Sequence, residues 1–238
     1  MKLDILAIGV HPDDVELGCG GTVLAQIAQG SRVGIVDLTQ GELGTRGTAA
    51  TRKAEAAAAA EILGVSIREN LGFEDGFFTH DKAHVLEVVR VLRKYKPEVV
   101  LMNAAYDRHP DHGRSAELVR DAVFLSGLPK IETNLDGKLQ QAHRPAAVYS
   151  YIQALHAEPD FVVDISSVFE QKMKAVLAYK TQFFNPSESG DATFISSPEF
   201  LEFVKARASH FGVPAGVKYA EGFTVYRTPL VKNIQHLH

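Results

Sequence analysis

Apolar runs rich in β-branched residues alternate with helix-period patterns through the first half of the chain. Leu3 to Val10 reads as a first strand, followed by a polar loop and a helix from about Glu16 to Gln29 that Gly30 stops. Arg32 to Leu38 reads as a second strand, and the alanine-rich stretch Ala49 to Leu63, ended by Gly64, as a second helix. Val65 to Leu71 is a short third strand. Val85, Leu86, Val89 and Leu92 mark one face of a helix over Asp81 to Tyr95, and Pro97 opens a fourth strand through Met102. A helix from Ser115 to Leu125 follows.

Strand and helix alternating in this way imply right-handed crossovers and a mostly parallel sheet with helices on both faces. The pattern loosens beyond Leu125. Pro129 to Pro145 reads as an irregular excursion, Ala146 to Ile152 and Phe161 to Ile165 as strands, and Val168 to Tyr179 as a helix. Phe184 to Pro198, rich in Ser, Gly, Asn and Pro, reads as a mobile loop. Glu199 to Phe211 then reads as a helix and Val217 to Tyr226 as a last strand. The expected organisation is one α/β domain over residues 1–238, with a C-terminal α/β elaboration walling the functional edge of the sheet.

Composition narrows the functional classes. With 238 residues, 45% hydrophobic and 23% charged, the chain can bury a sizeable core and matches an ordinary soluble protein. A net charge of −4 gives no support to nucleic-acid binding. Cys19 is the single cysteine, so no intramolecular disulfide forms and a metal would need other ligand types. The start, Met1 to Val10, is too short for a signal segment or a membrane span, and a cytoplasmic protein is expected. Residues 235–238 are expected to be a mobile native tail.

Two clusters carry the candidate chemistry, His11-Pro12-Asp13-Asp14-Val15-Glu16 and Arg108-His109-Pro110-Asp111-His112. Each directly follows a strand pattern. Ligands of open α/β sheets bind outside the carboxyl ends of strands, so the two turns should be neighbours there. His11, Asp14 and His112 would give two imidazoles and one carboxylate, suited to a zinc ion that keeps one position for water. Fe2+, cobalt or manganese would also suit that set. Asp13 is left over and could take a proton from the water as general base. A protonated His109 could stabilise an oxyanion or serve the leaving amine, with Asp111 orienting it and raising its pKa. The Asp13-Asp14 pair could equally cap a helix, a role compatible with metal binding.

Other features carry less. Gly18-Cys19-Gly20-Gly21 lacks the order of a dinucleotide fingerprint and reads as close helix packing, with Cys19 a packed residue. His80, His84, His143, His156 and His210 show no partner pattern. Arg46 and Arg52 flank the loop after the second strand, where either could clamp an anionic group or be solvated.

The two clusters, with Asp37-Leu38-Thr39, Thr51 to Glu55, Leu71 to Gly76 and Tyr219 to Phe223, resemble the LmbE-like, or PIG-L, family of zinc-dependent N-acetylglucosamine deacetylases. The resemblance spans nearly the whole chain and is nearest to the bacillithiol biosynthesis branch. It implies a Rossmann-like fold, zinc on His11, Asp14 and His112, Asp13 as base and His109 assisting. It further implies that Arg52 contacts substrate, that the substrate is N-acetylglucosaminyl L-malate, and that the chain forms homo-oligomers, often hexamers. Deacetylation of a chitin-type disaccharide and metal binding without catalysis are the alternatives. Where related members place a tyrosine near the carbonyl oxygen, this chain carries Phe200, and Tyr106 is the weaker candidate for that role.

Overall fold

The computed structural model describes residues 1–186, 190–231 and 233–236. The expected mobile loop 184–198 therefore lies outside the described residues at 187–189, and the expected tail at 237 and 238. The strands are β1 Ile5–Gly9, β2 Val33–Thr39, β3 Ile67–Phe73, β4 Val99–Met102, β5 Asn134–Leu135, β6 Lys138–Leu139, β7 Ala147–Tyr151, β8 Phe161–Asp164 and β9 Ala220–Val225. The helices are α1 Asp14–Ala28, α2 Ala49–Leu63, α3 Lys82–Tyr95, α4 Pro110–Ser126, α5 Phe169–Leu177 and α6 Pro198–Gly212.

Seven strands form one sheet in the order β3-β2-β1-β4-β7-β9-β8. The first five are parallel, and β9 runs antiparallel to both β7 and β8. The chain steps outward from β1 to β3 and then returns to lay β4 on the other side of β1. That reversal opens a crevice between the ends of β1 and β4, the usual ligand position in such sheets.

Alternating residues of each strand serve opposite cores, which is why the strands read as continuous apolar runs. Leu6, Ile8, Val36 and Val100 pack on Val88, Leu92, Leu118 and Val119 of α3 and α4. Ile5, Ala7, Ile35 and Leu101 face Val15 and Val23 of α1, Ala175 of α5 and Phe223 of β9. Thr48 and Thr51 form a capping box at the start of α2, and Gly64 ends it at φ 73°.

Two helix starts and one hairpin depart from the sequence reading in ways that matter beyond a shift of a residue or two at element ends. Helix α1 begins at Asp14 and α4 at Pro110, so both clusters reach into the first turn of a helix. Proline is well suited to that first position, because its missing N–H has no helical partner there. Within the supposedly irregular 129–145 stretch, β5 and β6 pair as a hairpin around Asp136 and Gly137, both at positive φ. Among the described residues no helix is long and apolar enough to cross a membrane.

Candidate active site

The two clusters meet at the crevice between β1 and β4. Asp14, in the first turn of α1, is at their centre and is 2% exposed. Its Oδ2 accepts from the backbone N–H groups of Val10 and His11 at 3.1 and 3.0 Å and from Asn103 Nδ2 at 3.2 Å; its Oδ1 accepts from Gln153 Nε2 at 2.6 Å. Burial alone would raise its pKa, but His112 and His11 beside it hold the carboxyl well below the usual range.

Each imidazole presents one nitrogen to Asp14 and the other to an outer carboxylate. His11 Nδ1 stands 3.6 Å from Asp14 Oδ2, and its Nε2 is 2.9 Å from Asp75 Oδ1. His112 Nε2 stands 3.2 Å from Asp14 Oδ1, and its Nδ1 is 2.6 Å from Asp107 Oδ2. Burial opposes charge on both rings, yet the carboxylates push His11 up to about 10 and His112 up to about 9. A divalent cation can take the place of those protons. Donors about 2.0–2.1 Å from a tetrahedral zinc lie about 3.3 Å apart; His11 and His112 stand 3.6 and 3.2 Å from Asp14, each at a different carboxylate oxygen. An outer carboxylate on the far nitrogen is the arrangement that fixes metal-bound histidines.

The tightest triplets differ from the expected one. Among the described residues, ligand atoms within 4.8 Å of one another are offered by His11, His109 and His112 and by His11, Asp75 and Asp111. The expected set with Asp14 is not among them: Asp14 faces the two rings through different oxygens, and the Nδ1 of His109 accepts the backbone N–H of Asp111 at 3.3 Å.

Asp13 adopts φ 137°, a conformation that costs a non-glycine residue of order 1–3 kcal/mol. It precedes α1 yet makes no side-chain cap bond; its carboxylate instead accepts from Arg52 Nη2 at 3.2 Å through Oδ2. Burial pushes its pKa up to about 7, against the opposing pull of Arg52. A carboxylate there can accept a proton near neutrality. Glu16, also in the first cluster, turns away into a buried pair with Arg68, which also binds Asp37.

His109 and Asp111 depart from expectation. The Asp111 carboxylate accepts from Gly76 N–H at 2.8 Å and from Arg114 Nη1 at 2.6 Å, so it does not orient the His109 ring. Two residues apart at a helix start, it is the backbone N–H that reaches the ring. Burial and the charges of His11 and His112 lower the His109 pKa, which disfavours an imidazolium, and a neutral ring whose Nδ1 accepts that N–H is assigned its proton on Nε2.

Arg52 is 4% exposed and commits Nη2 to the Pro12 carbonyl at 2.6 Å and to Asp13 Oδ2 at 3.2 Å. Arg46 is half-buried and does not join this cluster. Above the cluster opens a cleft of about 360 Å³ lined by Leu17, Arg108, Phe194, Phe200 and Arg207. Phe200 is buried in that wall and stacks on Phe183, whereas Tyr106 is 82% exposed. Asp75, Asp107, Asn103 and Gln153 were not anticipated from sequence. The one signal available was their position at or just past the carboxyl ends of predicted strands.

The family description "GlcNAc-PI de-N-acetylase" (PIG-L) matches residues 6–123, which contain both clusters. A diacetylchitobiose deacetylase of Thermococcus kodakarensis is 32% identical over 229 residues, 92% of this chain and 81% of that protein. The chain belongs to the PIG-L family of deacetylases. Another relative, a probable N-acetyl-alpha-D-glucosaminyl L-malate deacetylase 2 of Bacillus cereus, is 27% identical over 195 residues, 76% of this chain and 84% of that protein. The fold agrees with the crystal structure of a conserved protein from Thermus thermophilus, with TM-score 0.85, 38% identity, and 96% and 97% of the two chains covered.

Proposed function

We propose that the chain is a metal-dependent hydrolase that removes the acetyl group from an N-acetylglucosaminide. The observation that carries this reading is the division between two adjacent carboxylates, Asp14 locked between two imidazoles and Asp13 strained, buried and pushed up to about 7. His11, Asp14 and His112 would hold the metal. When bound it supplies Lewis acidity, making the water a stronger acid and the acetyl carbonyl more electrophilic. Zinc fits this set, and Fe2+ or another divalent ion is compatible with it.

The chain's own residues then handle the protons. Asp13 takes one proton from the attacking water, and the Nε2–H of His109 donates a hydrogen bond to the oxygen that gains charge. As the C–N bond breaks, the amine nitrogen takes the proton held by Asp13 and acetic acid departs; its remaining proton passes to the free amine, leaving acetate and an ammonium group. Arg52 keeps the Asp13 carboxylate aimed and partly offsets its burial.

The relatives differ in substrate. The diacetylchitobiose deacetylase is the more similar of the two, at 32% against 27% identity, which supports a neutral substrate such as diacetylchitobiose over the malate conjugate of bacillithiol biosynthesis that the resemblance implies. Release of acetate from both compounds by the zinc-loaded protein tests the choice. Higher kcat/KM on the disaccharide is expected. A tenfold preference for the malate conjugate would reverse the assignment, and zinc binding without turnover of either would favour a non-catalytic binding protein.

A further inference from the structure

We propose that Lys172 and Glu221, a buried ion pair from the C-terminal half, are positioning residues that set Asp13 and Asp14 in place. The proposal rests on the metal-site reading above. Its starting point is a break in α1, where Cys19 leaves the helical region at φ −145° and ψ 19°.

In an unbroken helix the Leu17 carbonyl would accept from the N–H of Gly21. Here the ion pair is inserted into that bond. The N–H groups of Gly21 and Thr22 donate to Glu221 Oε1 and Oε2 at 2.9 and 2.6 Å. The Leu17 carbonyl accepts from Lys172 Nζ at 3.0 Å, and Nζ also reaches Glu221 Oε1 at 2.5 Å. Arg207 of α6 places its Nη2 3.0 Å from the same carbonyl. The break thus creates a new helix start, whose free N–H groups take a carboxylate, and a new helix end, whose free carbonyl takes two cations.

Packing shows that the break is built in. A Cβ on Gly18 would stand 2.2 Å from Tyr151 Cδ2, and one on Gly21 would stand 2.7 Å from Ile165 Cγ2. Both glycines let the broken helix lie directly against the strands on that side. The ion pair is 2% and 4% exposed for Lys172 and Glu221. Burying two charges carries a desolvation cost that excellent geometry must offset, and here both carboxylate oxygens and the ammonium find backbone partners.

The break separates a short first segment, residues 14–18, from the rest of α1. That segment carries Asp14 and Leu17, with Asp13 at its head, and all three line the cleft. Asp14 anchors its near end through Val10 and His11; Lys172 and Arg207 anchor its far end through Leu17. Side chains from α5, α6 and β9 therefore fix the direction in which the two aspartates point.

The test compares Glu221→Gln and the double variant Lys172→Met with Glu221→Gln against Val23→Ala, a buried position in the distal half of α1. Folding is followed by circular dichroism melts, zinc affinity by competition with a chelator, and kcat and KM by acetate release. Variants of the pair that are folded at the assay temperature should bind zinc about ten- to a hundredfold more weakly and lose kcat more than KM. Val23→Ala should lose thermal stability and keep zinc affinity. The double variant removes the Lys172–Glu221 pair together, so neither partner is left without the other, and it carries the comparison if Glu221→Gln fails to fold. Unchanged zinc affinity and kcat in a folded variant of the pair, or an equal loss in Val23→Ala, would overturn the proposal. Failure of the unmodified protein to bind zinc would instead bring down the metal-site reading beneath it.

Discussion

The side chains proposed to perform the chemistry and those that hold them come from different parts of the molecule. His11, Asp13, Asp14, His109 and His112 all lie on two turns of the parallel half, after β1 and β4. Their supports are scattered: Asp75 follows β3, Gln153 follows β7, Lys172 is on α5, Arg207 on α6 and Glu221 on β9. The comparison teaches that reacting groups can be concentrated in short contiguous motifs, while their orientation is a property of the whole sheet and its C-terminal cover.

Substitutions can sharpen or break that contrast. The largest effect is expected from His112→Ala, which removes a proposed ligand and leaves Asp14 and Asp107 without their shared imidazole. Zinc content should fall to near zero and kcat/KM about a thousandfold or more, ~4 kcal/mol of transition-state stabilisation. Elemental analysis and acetate release check it, and a variant that retains stoichiometric zinc would remove His112 from the ligand set.

Asp13→Asn tests the other half of the aspartate pair. Zinc should remain bound while kcat falls about 10²- to 10⁴-fold. Gln153→Ala removes a supporting bond from the C-terminal side, and zinc affinity should drop about ten- to a hundredfold with a smaller change in KM. An affinity as high as that of the unmodified protein would confine support of Asp14 to the parallel half. Phe194→Ala has the smallest predicted effect. Its ring is 54% exposed at the cleft and lies 4.4 Å from the Arg108 guanidinium, so KM should rise a few-fold with stability within about 0.5 kcal/mol.

The sequence carried most of the parallel half because its signals are local. Strands buried on both faces leave uninterrupted apolar runs, and Gly30 and Gly64 punctuate the helices they follow. The clusters were readable for the same reason: each is contiguous and follows a strand. Roles that depend on fine backbone geometry were not. Pro110 opens α4 five residues before the apolar pattern that marks it, and the resulting turn gives His109 the Asp111 N–H rather than its carboxylate. Arg52 sits on a helix that sequence placed correctly, yet its turn toward Asp13 depends on how α2 packs beside the first cluster. Asp75, Lys172 and Glu221 lie 64 to 200 positions from the groups of the first cluster and α1 that they bind, at separations where no periodicity carries information.

The central claim is that Asp14 binds a metal while its neighbour Asp13 moves protons. Metal content and acetate release from diacetylchitobiose, measured side by side on the unmodified protein and Asp13→Asn, test it most directly. The account predicts one zinc per chain in both and rapid acetate release in the first alone. Equal acetate release from the two proteins, or full activity of a protein stripped of all divalent metal, would contradict it.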